Sequence, residues 1–349
     1  MSSRWGHGTA VHHSISSPSL DLSTLYPFAL DPFQSDAIAA LELGQSVVVV
    51  APTGSGKTLI GEYAIARALA QGKRVLYTTP LKALSNQKLR DFRRQFGTEQ
   101  VGLMTGDLCI NRDAPILVMT TEIFRNILYG TLTNEFELAL ADVDAVVLDE
   151  CHYMNDRQRG TVWEESIIYC PPTIQLIALS ATIANAQQLA EWIQWVHGPT
   201  QLIQSNWRPV PLRFSFGTHQ GLFPLLNHQQ NKLNPKLKAI PSKQSGRARS
   251  RGALPSPRMI IEVLQERQML PAIYFIFSRR GCDQAVQATR DLSLLTPTES
   301  AKLHQHVRQF LAQYPDLAQS PVLDGIGRGV AVHHAGLLPA WKTLIEELF

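Results

Sequence analysis

A short segment of the chain, residues 51–58, combines glycines with a lysine and hydroxyl side chains in the order Ala-Pro-Thr-Gly-Ser-Gly-Lys-Thr. The glycines allow successive backbone N–H groups to turn toward one phosphate group. The lysine can reach the outer phosphates of a nucleotide, and the final threonine hydroxyl is a ligand for Mg²⁺. The pattern therefore predicts a nucleotide-phosphate loop. Its predicted contact residues are Pro52, Thr53, Gly54, Ser55, Gly56, Lys57 and Thr58.

Two adjacent carboxylates, Asp149 and Glu150, follow the apolar run Val146-Val-Leu. A magnesium nucleotide needs a carboxylate on a strand close to the phosphate loop, and hydrolysis needs a group that orients or deprotonates water. An acidic pair at a strand end is common, but together with the phosphate loop it predicts a hydrolytic site. We expect Asp149 and Thr58 to hold the metal, and we expect Glu150, Asp149 and Lys57 to be the catalytic residues.

The elements that must position these groups are visible between Leu41 and Thr182, where short β-branched runs alternate with amphipathic stretches. This alternation is typical of βα units packed on a parallel sheet. Apolar residues at helical spacing predict a helix over Leu59–Ala70, directly after the loop. The fold class predicted is therefore α/β, with a parallel sheet covered on both faces. The predicted strands are Ser46–Ala51, Arg74–Thr79, Ile116–Thr120, Ala145–Asp149 and Gln175–Ser180.

The length of 349 residues suggests about two domains. The alternating rhythm is lost after Gly217 and returns after Pro257, with apolar strands predicted at Ala272–Phe277 and Gly329–His334, which indicates a second α/β unit. The predicted divisions are a disordered tail at 1–20, a nucleotide-binding domain at 21–206, a linker with a basic low-complexity insertion at 207–257, and a partial second domain at 258–349.

Basic residues accumulate in the middle of the chain, although the formal net charge is only +3. Between Glu191 and Glu262 there is no acidic residue, and Ser242–Arg251 is close to low complexity. Such a block either contacts phosphates or is a solvated insertion that binds nothing specifically. Composition leaves these two interpretations equally open.

Composition also excludes several classes of protein. With 44% hydrophobic and 17% charged residues, the chain is typical of a globular protein. The densest apolar run is Val47–Val50, far short of the ~20 residues that a membrane helix needs. Met1–Ser19 lacks the apolar core of a secretory signal, and the four cysteines form no close pair. These features predict a cytoplasmic protein without a membrane partner.

The motifs around the site resemble those of a known family. The acidic pair belongs to Asp149-Glu-Cys-His152, and Ser180-Ala-Thr182 follows a later apolar run. Together with the phosphate loop they reproduce, in order, the AxxGxGKT, DExH and SAT motifs of the superfamily 2 helicases, which this chain resembles. Further segments that look like motifs of that superfamily are Phe28–Gln34 (the Q motif), Thr79–Leu84 (Ia), Thr105–Asp107 (Ib) and Thr120–Glu122 (Ic).

The resemblance is most specific for the superkiller-type (Ski-two-like) RNA helicases, and it extends over most of the chain from Leu25 onward. It implies a RecA-like P-loop NTPase domain with a parallel sheet, followed by a partial second RecA-like domain. It also implies an ATP-dependent RNA helicase whose cofactors are ATP and Mg²⁺. The segments that carry this resemblance are Asp149–Asp156, Arg159–Glu165, Arg208–Arg213 and Val332–Pro339.

The resemblance implies a role for each matching residue. Phe28 and Gln34 would contact the adenine of ATP, and His152, Ser180 and Thr182 would couple the nucleotide to strand movement. Single-stranded RNA would be held by its phosphates at strand ends, so binding would be sensitive to salt and nearly independent of sequence. The residues implied in this contact are Pro80, Lys82, Thr105, Gly106, Thr120, Thr121, Ser278 and Arg279.

The resemblance leaves alternatives open. A DNA-repair helicase of the same superfamily shares these motifs, so DNA is a second candidate partner. Motif V and the arginine-bearing motif VI are missing from the chain, which therefore looks C-terminally truncated and is expected to bind ATP and RNA without unwinding a duplex. The missing motifs also fit a nucleotide-dependent RNA-binding module without motor activity. Arg279 could instead be a surface charge at the entry to a helix.

Overall fold

The computed structural model describes residues 22–133, 140, 142–156, 159–218, 221–229, 231–238 and 255–349. The predicted tail at 1–20 and the centre of the basic insertion lie outside these residues. The strands are β1 Ser46–Val50, β2 Arg74–Thr79, β3 Val101–Met104, β4 Cys109–Ile110, β5 Ile116–Thr120, β6 Val143–Leu148, β7 Gln175–Ser180, β8 Thr200–Gln204, β9 Ser215–Thr218 and β10 Gly221–Pro224.

Helices connect the strands and form most of the C-terminal part of the chain. The α-helices are α1 Leu22–Leu25, α2 Pro32–Glu42, α3 Thr58–Ala70, α4 Lys82–Phe96, α5 Thr121–Thr133, α6 Gly160–Ile168, α7 Ala186–Val196, α8 Pro235–Lys238, α9 Pro257–Glu266, α10 Arg279–Ala288, α11 Pro297–Gln313, α12 Val322–Gly327 and α13 Pro339–Leu348. Short 3₁₀ helices follow β6 and α11 and precede β3. The chain divides into two compact units, Met1–Pro211 and Leu212–Phe349.

The first unit is built on one eight-stranded sheet with the strand order β4-β3-β5-β2-β6-β7-β1-β8. Neighbouring strands are parallel except for β3 and β4, which are antiparallel. In register, Val50 of β1 lies opposite Ser180 of β7, and Thr79 of β2 lies opposite Thr120 of β5. The carboxyl ends of these strands therefore share one edge of the sheet, and the loops that follow them meet there. This confirms the predicted α/β fold.

Two hydrophobic clusters cover the faces of this sheet, because successive strand residues point to opposite sides. Val49 and Tyr77 pack with helices α2, α3 and α4 on one face. Val48 and Leu76 pack with α5, α6 and α7 on the other face. The strands are buried on both sides, which explains their nearly continuous apolar sequences. The result is a three-layered α/β/α unit with rigid strand ends.

The second unit is mainly helical within its described residues. Ile326, Trp341 and Leu344 form its buried cluster, and β9 pairs with β10 in an antiparallel hairpin. The strands predicted at Ala272–Phe277 and Gly329–His334 are wrong, because neither segment pairs with another strand in the described part of the chain. A strand is stabilised by hydrogen bonds to its neighbours, and apolar composition alone does not supply them.

Among the helices of the described residues, none is long and apolar enough to span a membrane.

Candidate nucleotide-binding and nucleic-acid-binding site

The predicted phosphate loop joins the carboxyl end of β1 to the first turn of α3, which begins at Thr58. Gly54 and Gly56 have φ values of +82° and +85°, a region that is strained for other residues. A Cβ atom on Gly56 would also lie 2.8 Å from Nε2 of Gln34. The loop conformation thus requires both glycines and directs the chain into the N-terminus of α3, where backbone N–H groups favour an anion.

The Lys57 ammonium closes the loop on itself. Its Nζ atom donates hydrogen bonds to the carbonyl oxygens of Ala51 at 2.7 Å and Pro52 at 3.0 Å. Burial lowers the pKa of Lys57, while the charges of Glu150 and Asp149 oppose that shift. A half-buried cation beside two loop carbonyls is suited to exchange them for phosphate oxygens.

Gln34 connects the segment before α2 to the loop. Its Oε1 atom accepts a hydrogen bond from the backbone N–H of Asp31 at 2.9 Å, and its Nε2 atom donates to the carbonyl of Gly56 at 3.1 Å. Gln34 is buried, whereas Phe28 is exposed and its ring centroid lies 5.8 Å from that of Tyr26. The two predicted adenine contacts therefore differ, since Gln34 belongs to the loop scaffold and Phe28 presents an open ring.

Asp149 and Glu150 follow β6, which is separated from β1 by β7 alone. The Tyr77 hydroxyl donates to Asp149 Oδ2 at 2.7 Å, and the Glu150 N–H donates to Asp149 Oδ1 at 2.9 Å. Burial, followed by the Asp149 charge, raises the pKa of Tyr77 well above its usual value, so Tyr77 remains a donor. Glu150 itself has a left-handed backbone with φ +56°. These contacts fix the carboxylate of Asp149 and turn Glu150 away from the strand.

Lys88, a residue that the sequence did not single out, lies between the two predicted metal ligands. Its ammonium donates to Thr58 Oγ1 at 3.2 Å and lies 3.8 Å from Asp149 Oδ2. The sequence did contain a signal, because Ser85, Leu89 and Phe92 are the buried face of α4 and Lys88 falls on that face. A lysine on an otherwise buried helix face indicates a charge partner.

The two predicted metal ligands lie beside one cationic group. Thr58 Oγ1 and Asp149 Oδ2 are both neighbours of the Lys88 ammonium. No group of three or more His, Cys, Asp and Glu side chains that could hold a metal occurs within the described residues. A hydroxyl and one carboxylate fit Mg²⁺, which usually combines one or two protein ligands with water and substrate phosphates.

The predicted nucleic-acid contacts of the first unit divide into two groups. Lys82 Nζ lies 3.0 Å from Asp107 Oδ1, and the Thr105 hydroxyl donates to the same oxygen at 2.9 Å. Together with Gly106 these residues form an exposed polar cluster. Thr120 and Thr121 are buried instead, and the Thr121 hydroxyl donates to the carbonyl of Thr79 at 3.3 Å. The Thr121 hydroxyl therefore stabilises the edge of the sheet, and Thr120 is buried there.

Arg159 connects these loops, and it is a second residue whose role the sequence did not reveal. Its Nη2 atom donates to the carbonyl of Pro80 at 2.8 Å, and its Nε atom donates to Glu122 Oε1 at 3.1 Å. Pro80 follows β2 and Glu122 lies in the first turn of α5, so one guanidinium spans two strand ends. Arg159 therefore fixes the position of the loop after β2 relative to the start of α5.

The predicted coupling residues do not form one cluster. His152 Nδ1 lies 3.2 Å from Glu150 Oε2. Ser180 accepts a hydrogen bond from the backbone N–H of Ala51 at 3.2 Å through its carbonyl, and its hydroxyl donates to the carbonyl of Ala181 at 2.8 Å. Thr182 is exposed. His152 thus contacts Glu150, whereas Ser180 supports the start of the phosphate loop.

Ser278 and Arg279 lie in the second unit. The Ser278 hydroxyl accepts a hydrogen bond from the backbone N–H of Gly281 at 3.0 Å and caps α10. Arg279 is the first residue of that helix and is exposed. The geometry accounts for Ser278 as a helix cap and leaves the Arg279 guanidinium available to solvent.

A parallel sheet with a glycine-rich loop and lysine after β1, and an acidic pair two strands away after β6, defines the class of P-loop NTPases. Residues 31–189 match the family described as DEAD/DEAH box helicase. This part of the chain is therefore a DEAD/DEAH box helicase domain.

Named relatives agree with this assignment. The chain is 45% identical to the DExH-box ATP-dependent RNA helicase DExH15, chloroplastic, of Arabidopsis thaliana, over 94% of this chain and 32% of that protein. It is 36% identical to Superkiller complex protein 2 of Mus musculus, over 97% of this chain and 30% of that protein. The chain thus spans about a third of the length of these relatives.

A solved structure supports the fold. The structure of Mycobacterium smegmatis helicase Lhr bound to ssDNA and AMP-PNP matches with a TM-score of 0.53 and 20% identity, over 93% of this chain and 38% of that chain. At this identity the likeness concerns the fold alone.

Proposed function

We propose that this chain binds ATP with Mg²⁺ and single-stranded RNA, and that it couples ATP hydrolysis to strand movement as an RNA helicase. The observation that carries the proposal is the meeting of Lys57, Thr58, Asp149 and Glu150 at one edge of the sheet. The Arabidopsis relative, named as an ATP-dependent RNA helicase and 45% identical, supports the proposal of both ATP and RNA as ligands.

In the proposed nucleotide site, the chain's own residues have separate tasks. Lys57 would exchange the carbonyls of Ala51 and Pro52 for phosphate oxygens. Thr58 and Asp149 would hold Mg²⁺, which when bound neutralises charge on the phosphates. Glu150, one residue beyond the fixed Asp149 carboxylate, would orient the attacking water and accept its proton.

Adenine recognition is proposed for Gln34 and Phe28. Gln34 touches the loop through Gly56, so a base that contacts its amide would be linked directly to the phosphate loop. Phe28 offers an exposed ring face for stacking. This arrangement supports binding of an adenine nucleotide over a bare triphosphate.

RNA binding is proposed for the loops that follow β2, β3 and β5, with contributions from Ser278 and Arg279 in the second unit. Lys82, Thr105 and Gly106 form the exposed cluster in the first unit, and Pro80 lies beside it in sequence. At Thr120 and Thr121 the backbone would make the contact, because their hydroxyl groups are buried. Such contacts address phosphates and carry little base preference.

The test is a comparison of ATP hydrolysis with matched single-stranded RNA and DNA of the same sequence at one fixed salt concentration. We expect RNA to bind more tightly and to stimulate hydrolysis more than DNA does. Equal stimulation by DNA would assign the chain to DNA metabolism instead. The absence of stimulation by either polymer would contradict the proposed coupling altogether.

A further inference from the structure

The Lys88 side chain occupies an unusual position for a lysine. It extends from α4 toward the nucleotide site, and only 18% of the side chain is exposed. Its ammonium lies 3.2 Å from Thr58 Oγ1 and 3.8 Å from Asp149 Oδ2. These are the two oxygen atoms proposed to hold Mg²⁺. A positive charge of the protein therefore lies where the metal is expected.

Aromatic rings hold the ammonium in this place. Lys88 Nζ lies 5.4 Å from the ring centroid of Tyr77 and 5.8 Å from that of Phe92. Both rings are buried and contact each other edge to face at 4.9 Å. Cation–π attraction and the Asp149 carboxylate thus act on the same ammonium. Tyr77 contributes twice, since its hydroxyl also donates to Asp149 Oδ2.

The loop cation Lys57 is held by other contacts. It donates to the carbonyls of Ala51 and Pro52. Among the described residues, Lys88 is the cation that lies beside both Thr58 and Asp149. It also lines an open pocket of about 360 Å³ whose other charged lining residues are Glu62, Asp91 and Arg94. This pocket gives the ammonium space to leave the two oxygens.

Magnesium and the ammonium cannot share this position. Mg²⁺ binds oxygen ligands at about 2.0–2.1 Å in near-ideal octahedral geometry, which excludes a second group between the same two oxygens. Two positive charges at such close range also repel each other strongly when they are partly buried. Metal binding must therefore displace Lys88.

We propose that Lys88 is an internal counter-ion that holds the metal subsite in the nucleotide-free protein and gives way when a magnesium nucleotide binds. The inference rests on the proposed function of the site. It makes Lys88 a competitor of the metal, because the ammonium must leave Asp149 and Thr58 before Mg²⁺ can bind them. It also makes the metal dependence of nucleotide binding a property that Lys88 sets.

The experiment measures how ADP binding depends on the metal concentration. Mn²⁺ is the paramagnetic substitute for Mg²⁺, and electron paramagnetic resonance measures the concentration of free Mn²⁺. Lys88→Met removes the positive charge and nearly keeps the length of the side chain. We expect half-saturation at a Mn²⁺ concentration about tenfold lower, the equivalent of one charged hydrogen bond. Lys88→Arg retains the charge and should stay close to wild type.

Arg90→Met is the matched control, because Arg90 is an exposed cation on the same helix. It should leave the metal dependence unchanged. Thermal unfolding shows whether each variant is folded, and Lys88→Gln replaces Lys88→Met if the methionine variant is not. Unchanged or weaker Mn²⁺ binding in the folded neutral variant overturns the inference.

Three outcomes test the inference further, and the last two separate it from the proposed function. ADP affinity without metal should be the same in wild type and Lys88→Met. A large loss there would make Lys88 a phosphate ligand and would overturn its role as a counter-ion. If wild type binds no Mn²⁺ together with ADP, the proposed nucleotide site fails first. If wild type binds both and the variants do not differ, only the Lys88 inference fails.

Discussion

The hydrogen bonds of Lys57 show that the phosphate loop is held closed by its own carbonyls before any anion arrives. The ammonium donates to Ala51 and Pro52, both in the segment that it must support. A phosphate must therefore replace two existing hydrogen bonds, and only its negative charge makes the exchange favourable. The same contacts explain how a partly buried lysine is tolerated without nucleotide.

We predict that Lys57→Ala weakens ATP binding by at least tenfold, because a charged hydrogen bond contributes ~1.5 kcal/mol or more. Titration with a fluorescent ATP analogue measures the change. Lys73→Ala is the control, since Lys73 is an exposed cation that pairs with Asp144. Unchanged affinity in the Lys57 variant would show that the loop does not bind phosphate.

For Glu150→Gln we predict intact ATP binding and hydrolysis reduced by about 10²–10⁴-fold, because an amide keeps the shape but cannot accept a proton. Glu150 has a left-handed backbone, and glutamine preserves the side-chain length at that strained position. Binding and single-turnover hydrolysis are measured on the same preparation, with Glu164→Gln as an exposed acidic control. A parallel loss of ATP affinity would instead make Glu150 a metal or structural ligand.

At the scale of elements, the guanidinium of Arg159 joins pieces of chain that are distant in sequence. It links the carbonyl of Pro80, 79 residues away, to the carboxylate of Glu122, 37 residues away. The loop between β2 and α4 and the start of α5 are thereby held in one arrangement. A rigid pair of loops loses less conformational freedom when a strand binds.

We predict that Arg159→Ala weakens binding of single-stranded RNA by about tenfold and leaves ATP affinity unchanged, since one charged contact is lost at the loops. Arg159→Lys should recover little, because an ammonium cannot reproduce the forked geometry. Fluorescence anisotropy with labelled RNA measures affinity, and Arg125→Ala, which breaks the pair with Glu165, is the control.

A double-mutant cycle makes this prediction sharper. The double variant Arg159→Ala, Glu122→Gln should lose less free energy of RNA binding than the two single variants together, because both substitutions remove the same contact. Additive losses would show that Arg159 acts on RNA directly and not by positioning the α5 loop.

The sequence predicted the central elements well and the long-range contacts poorly. The β1 strand, the loop and α3 follow each other in the chain, so composition and spacing were sufficient there. The contacts of Lys88 and Arg159 were not predicted, because their partners lie 30 to 79 residues away in the sequence. The short strands β3 and β4 and the polar strand β8 lack a clear apolar pattern, and they are recognisable only beside the strands with which they pair.

At the scale of the whole molecule, the basic block in the middle of the chain is the largest unassigned source of positive charge. Part of it lies outside the described residues, including Lys243, Arg247, Arg249 and Arg251. The described part of the same region contains the β9–β10 hairpin, and Gly217 there packs close to Ile260. Point substitutions therefore test the charge better than deletion of the region.

We predict that changing these four basic residues to Gln weakens RNA binding. It should also reduce the slope of log K against log salt concentration by up to about 3, because each phosphate contact to a single strand contributes about 0.7 to that slope. Affinity at several salt concentrations gives the slope. Neutralising the exposed Lys302 and Arg308 of α11 is the control. An unchanged slope would identify the block as a solvated insertion.

The unpaired apolar segment in the second unit has a practical consequence for handling the protein. Ile273, Phe275 and Phe277 are 63%, 81% and 104% exposed, and their segment pairs with no strand in the described part of the chain. Such a segment is a template for edge-to-edge association. We expect light scattering to rise with protein concentration, and we expect Phe275→Lys to suppress that rise without altering ATP affinity. The tendency of this protein to associate in solution is then determined by the six residues 272–277, which lie far in sequence from the phosphate loop at 51–58.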